Sequence, residues 1–159
     1  MDTQMNNIPD AASLLPHEAP MILIDKLIDV TELTVHCQVK IDSDGLFFDK
    51  ESNGVPAWVG IEFMAQTIAV WSGYHAWRQN KPSPVGFLLG SRSYTSECEI
   101  YKESQLLDIY AEQVMESEGM AAFLCRIECK GKELAAGQLN AFVPTPEKLE
   151  EMLKGKNND

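Results

Sequence analysis

Basic residues are scarce in this chain. Lys and Arg number 13 against 24 Asp and Glu, a formal net charge of -11 over 159 residues. A nucleic-acid binder needs a basic face, so that class is excluded, and docking onto an anionic membrane is disfavoured for the same reason. The four cysteines, at 37, 98, 125 and 129, form no CxxC pair. On one strand Cys125 and Cys129 would lie ~13 Å apart at ~3.3 Å per residue. A disulfide needs Cα atoms within ~7 Å, so free, mostly buried thiols in a reducing compartment are expected. The stretch Met1–Asn7 lacks the charged-then-apolar pattern of secretion, and the expected location is the cytoplasm. Repeats, low-complexity tracts and interdomain linkers are absent. The sequence therefore predicts one domain over 1–159, with 1–9 and 155–159 loosely held, and no cofactor or metal.

One long apolar stretch, Gly54 to Trp77, carries a single charged side chain, Glu62. Its apolar residues cover all sides of a helical wheel, which marks either a membrane span or the buried centre of a domain. Gly60, Gln66, Thr67, Ser72, Gly73 and His75 interrupt the run, so a buried helix is predicted and no membrane span. A carboxylate in such a helix must be paired, neutralised or used. Pairing with Arg92 is one structural role open to it.

Before this helix, Asp10 is placed to cap a turn through Ala11–Leu15. Met21–Ile24 reads as a short strand leading into 25–30. Leu33, Val35, Cys37, Val39 and Ile41 alternate with polar residues, the cleanest strand of the chain, and put His36 on its solvated face. Ser52 or Asn53 is expected to cap the helix, with Glu62 about two turns in and Gln66 one turn further on the same face. Ala65, Ala69, Ser72, Gly73 and Ala76 form a small-residue stripe that a sheet could approach closely. Four long strands follow, at 85–96, 105–116, 120–130 and 133–143, and the turns at 117–119 and 131–132 make their strands antiparallel neighbours. A short terminal helix from Thr145 to Lys154 would present Leu149, Met152 and Leu153. A curved antiparallel sheet around one central helix, an α+β arrangement, uses every piece.

Two motifs then carry a resemblance. Leu14-Leu-Pro-His17-Glu-Ala-Pro-Met-Ile-Leu-Ile-Asp25 resembles the "LPHxxPxLLxD" opening of the 3-hydroxyacyl-[acyl carrier protein] dehydratases. Pro56-Ala-Trp-Val-Gly-Ile-Glu62-Phe-Met-Ala-Gln66 is similar to their "GxxxxEAMAQ" helix motif. The resemblance runs from about Leu14 to Val143. It implies the hotdog fold, a dimer or multiple of dimers, and active sites shared between two subunits. Two positions depart from the pattern. Ala57 stands for a glycine, and Phe48 occupies the place, fourteen residues before Glu62, of the family's catalytic loop histidine. The resemblance is therefore to a divergent branch, like the dehydratase-like proteins of aryl-polyene clusters.

The implied activity is dehydration of 3-hydroxyacyl thioesters on acyl carrier protein to trans-2-enoyl thioesters, in fatty-acid or aryl-polyene type biosynthesis. Glu62 is expected as the acid, its pKa lifted by burial, and His17, held between Pro16 and Pro20, as the base. By the same resemblance the backbone N–H groups of Ala57 and Trp58 would polarise the thioester carbonyl. Gln66, Phe48 and Val55 would contact substrate, with Trp58, Phe47, Phe63 and Trp71 as further tunnel-lining candidates. His75, at the far end of the helix, reads as structural. Carrier proteins are acidic, so docking would fall to Arg78, Lys81, Arg92 and Lys102, or to a more basic hotdog partner in a heterodimer in place of a homodimer. Two alternatives differ in kind. One is a hotdog thioesterase, in which the helix Glu activates water. The other is a non-catalytic partner subunit, for which Phe48 is the best sign.

Overall fold

The computed structural model describes residues 9–15, 21–81, 87–142 and 154, with backbone alone for 87–89. A short helix α1 (Ala11–Leu14) is followed by β1 (Lys26–Val30), β2 (Thr34–Lys40) and β3 (Gly54–Pro56). A 3-10 turn (Ala57–Val59) then leads into the long helix α2 (Gly60–Arg78). The chain ends in β4 (Phe87–Ser96), β5 (Ile100–Lys102), β6 (Leu106–Ser117), β7 (Met120–Cys129) and β8 (Lys132–Phe142).

Six strands form one antiparallel sheet in the order β1-β2-β6-β7-β8-β4, and β3 pairs with β5 in a separate two-stranded ribbon. Tight turns with left-handed residues, Glu118-Gly119 and Lys130-Gly131, join β6 to β7 and β7 to β8, as the turn chemistry predicts. The alternation in β2 buries Val35, Cys37 and Val39 on the face toward α2. Across the sheet, Leu107, Ile109, Ala111, Phe123, Cys125, Ile127 and Leu139 complete that face. Helix α2 packs on β2, β4, β6, β7 and β8, so the sheet curls around it as expected of a hotdog fold. Among the described residues no helix is long and apolar enough to cross a membrane. The four cysteines are free, and Cys37 and Cys125 are buried.

Local departures from the expected elements each have a cause. Met21–Ile24 is not a strand, because the backbone of Met21 and Leu23 bonds to the Gln66 side chain in place of a neighbouring strand. Asp10 gives α1 no side-chain cap; the Ser13 hydroxyl instead donates to the Asp10 carbonyl at 2.8 Å. Neither Ser52 nor Asn53 caps α2. Ser52 bonds Asp49, Asn53 is left-handed (φ 56), and the chain then stays extended to Pro56 by pairing with Tyr101 and Ile100. The α-helix proper starts only at Gly60, which brings Glu62 into its first turn.

The small-residue stripe is not the face the sheet approaches. Ala65, Ala69, Ser72 and Ala76 remain partly exposed, while Phe63, Met64, Thr67, Ile68 and Val70 are buried. Gly73 alone allows a close approach, and it is α1 that approaches: a Cβ there would collide with the Leu14 carbonyl. The expected terminal helix, the loose ends and His17 lie outside the described residues, Pro9 and Lys154 apart.

Candidate active site

Gln66 is the hinge of the site. It is fully buried, and its amide is spent on backbone. Oε1 accepts the Leu23 N–H at 2.8 Å, and Nε2 donates to the Met21 carbonyl at 2.6 Å. Nε2 also reaches Glu62 Oε1 at 3.4 Å, across one helical turn. The segment leading into β1 is thus fastened to the helix beside Glu62, which is itself partly buried. Glu62 and Arg92 form no ion pair; Arg92 is exposed on β4.

The start of α2 is held from two sides. The Ala57 N–H donates to the Glu99 carbonyl at 2.9 Å, extending the β3–β5 ribbon by one bond. This corrects the expectation that Ala57 offers its N–H to substrate. From the other side, Tyr94 Oη donates to the Ala57 carbonyl at 2.6 Å and lies 3.2 Å from Tyr101 Oη. Burial pushes both phenols above their ordinary pKa. Gly60 makes room for them, since a Cβ there would collide with Tyr94 Oη and sit 2.7 Å from Tyr101 Oη. The Trp58 indole, 62% exposed, turns outward and meets the Phe47 ring edge-on at 5.7 Å.

Beside this helix start lies a cleft of about 280 Å³. Leu23, Ile41, Phe47, Val55 and Phe63 supply its apolar wall, and Asp25, Lys40, Asp42 and Asp44 its charged rim. Val55 is part of the cleft wall. Phe48 is not: it is half-buried with its N–H on the Gly45 carbonyl, and its neighbour Phe47 lines the cleft. Glu62 is not part of the cleft wall, although Phe63 next to it is.

A model of the ApeP dehydratases, the ApeP-like family, matches residues 9–154 of this sequence. The chain belongs to the ApeP-like dehydratase family. The 3-hydroxyacyl-[acyl-carrier-protein] dehydratase FabZ of Deinococcus radiodurans is 24% identical over 132 residues, covering 83% of this chain and 90% of that protein. Among solved structures, a chain of the dehydratase heterocomplex ApeI:P from Xenorhabdus doucetiae superposes with a TM-score of 0.83. It is 34% identical, covering 91% of this chain and 97% of that one. A hypothetical thioesterase from Streptococcus pneumoniae, solved with coenzyme A, is 13% identical over 74% of this chain and 84% of its own, with a TM-score of 0.58. At that distance the likeness shows the hotdog fold alone.

Within this dehydratase scaffold the expected cations do not form one patch. Arg78 ends α2 and Lys81 follows it, whereas Lys102 ends β5 opposite Gly54, on the chain entering the other end. A helix of 19 residues separates them by roughly 28 Å at ~1.5 Å per residue. His75 is structural in its bonding, with Nε2 3.0 Å from the Thr31 carbonyl, and Trp71 packs edge-on against His75 and Phe123, away from the cleft. His36 is less solvated than expected: Nε2 lies 2.7 Å from Asp108 Oδ1 and the ring stacks on Tyr110. Two residues near the helix start escaped the sequence reading, Tyr94 and Tyr101. The signal for them was Gly60, a residue without a Cβ at the head of a helix full of large side chains.

Proposed function

We propose that this chain dehydrates 3-hydroxyacyl thioesters carried on acyl carrier protein, in aryl-polyene type biosynthesis, as one half of a hotdog dimer. The observation that carries the reading is Glu62, held one turn from a fully buried Gln66 in a chain of the ApeP-like dehydratase family. In the reaction a base removes the C2 proton and the C3–O bond breaks. The electron pair left at C2 closes the C2–C3 double bond, and the hydroxyl leaves as water with a proton from Glu62. The Trp58 N–H, which accompanies no backbone acceptor among the described residues, serves the thioester carbonyl as negative charge builds there. We assign the base to His17 on the sequence pattern. The apolar wall of Val55, Phe47 and Phe63 holds the acyl or aryl chain.

A hetero-partner is favoured over a second copy of this chain for three reasons. Phe48 fills the family's usual histidine position, the chain is strongly acidic, and its 34%-identical structural relative is part of a heterocomplex. A basic partner surface would receive the acidic carrier protein, and the assembly would work in the cytoplasm. The test is formation of enoyl thioester from a 3-hydroxyacyl-carrier-protein substrate, by the chain alone and with a hotdog dehydratase subunit. Wild type, Glu62→Gln and His17→Ala are compared. Full activity of Glu62→Gln would overturn the assignment of the acid, and full activity of His17→Ala that of the base. Release of free acid would instead mark a thioesterase. Phe48 favours one second reading, a non-catalytic subunit, and identical rates with and without an intact Glu62 in the complex would establish it.

A further inference from the structure

We infer that Tyr94, backed by Tyr101, is a positioning residue that sets the direction and strength of the Trp58 N–H as a hydrogen-bond donor to the substrate carbonyl. The inference rests on the role proposed above for that N–H.

The Ala57 C=O and the Trp58 N–H are the two ends of one planar peptide unit. A hydrogen bond accepted by the carbonyl draws charge through the amide and strengthens the N–H at the other end. Tyr94 Oη donates to the Ala57 oxygen at 2.6 Å, at the short end for a hydroxyl donor. A phenol has one proton to give. With it committed to Ala57, Tyr94 accepts at its own oxygen from Tyr101, 3.2 Å away. The result is a relay from Tyr101 through Tyr94 and the Ala57 carbonyl to the Trp58 N–H. Both phenols stay protonated throughout the working pH range, because burial raises their pKa.

Satisfaction of the backbone does not require this relay. The Ala57 carbonyl already accepts the Gly60 N–H within the 3-10 turn, so the Tyr94 hydroxyl is a second donor to it. The preceding peptide unit, Pro56–Ala57, is separately fixed from behind. Ala57 N–H is held by Glu99, and Val55 and Pro56 are paired with Tyr101 and Ile100. Gly60 leaves room for the hydroxyl, which any side chain there would displace. Packing alone would be served equally by phenylalanine.

The experiment compares Tyr94→Phe, Tyr101→Phe and Glu62→Gln with wild type, in the full chain with its hotdog partner subunit. Turnover is followed, and so is the infrared carbonyl stretch of a bound, unreactive thioester analogue. Removing an oxyanion donor outright lowers kcat by about 10²–10³-fold. Weakening one in place should lower it about ten-fold in Tyr94→Phe, with KM little changed. The carbonyl band should move to higher frequency, and Tyr101→Phe should follow both changes in smaller measure. Wild-type kcat and an unshifted band in Tyr94→Phe, even with a lower melting temperature, would reduce Tyr94 to a packing residue and overturn the inference. Should Tyr94→Phe not fold, the band in Tyr101→Phe decides in the same sense. Failure of the underlying role of the Trp58 N–H looks different: the carbonyl band of the bound analogue then stands at its free-solution frequency already in wild type, whereas a wild-type band lowered on binding and left in place by Tyr94→Phe counts against Tyr94 alone.

Discussion

Replacing Gln66 by Met tests whether the active site is built around that amide. Met has similar length and removes only polar atoms, so the core volume is kept. Two backbone groups lose their partner, the Leu23 N–H and the Met21 carbonyl, together with the bond toward Glu62. Met21 is 41% exposed, and its carbonyl can turn to water. Leu23 lies partly buried against the core, so its N–H bears most of the loss. One stranded buried donor costs about 1–3 kcal/mol. The apolar side chain placed in a fully buried position offsets roughly 1 kcal/mol of that. The net destabilisation is up to about 2 kcal/mol, which at this chain length lowers Tm by up to roughly 8 °C. Gln66→Glu should do worse than Gln66→Met. It keeps an acceptor for Leu23 but loses the donor to Met21 and sets a desolvated carboxylate beside Glu62. The assay is hydrogen exchange of the Leu23 amide alongside thermal unfolding. Local protection should fall by at least ten-fold in Gln66→Met, whereas Gln66→Glu, which keeps the Leu23 acceptor, should show the larger fall in Tm. An unchanged Tm with Leu23 still protected would refute the reasoning.

Three further outcomes follow from the same geometry. Gly60→Ala should destabilise by about 1–3 kcal/mol through overpacking, and Tyr94→Phe should relieve part of that; strictly additive effects in a double-mutant cycle on unfolding free energy would contradict the collision. Cys37 and Cys125 should resist a thiol reagent at neutral pH while Cys98 and Cys129 react first, because burial pushes the former two pKa values up to about 12; equal labelling rates would exclude this. The raised thiol pKa values also predict alkaline weakening. Above the unfolded thiol value of ~8.5 the unfolded chain sheds protons that the native state keeps, so stability falls with pH toward the native value. Each thiol contributes up to about 1.4 kcal/mol per pH unit. Urea midpoints at pH 8 and 10 should separate for wild type and converge for Cys37→Val with Cys125→Ala.

The framework was legible in the sequence, because hydrophobic period is a local property. The strict alternation through Val35, Cys37 and Val39, the Gly119 and Gly131 turns, and the all-round apolar run of α2 each dictate one element wherever it packs. The motif around Glu62 and Gln66 likewise marked the dehydratase family. Tertiary structure decided how the backbone ends of these elements were satisfied. Ala57 resembled a free donor until the β5 side of the ribbon brought the Glu99 carbonyl to its N–H. Met21–Ile24 resembled a strand until Gln66, more than forty residues away, took its hydrogen bonds. Tyr94 carried no signal in its own segment, only the distant Gly60 that makes room for it, because its hydroxyl meets the Ala57 carbonyl only after β4 crosses to the far edge of the sheet beside β8. A hydrogen bond between distant segments depends on where the sheet order puts them, and no window of sequence contains that order.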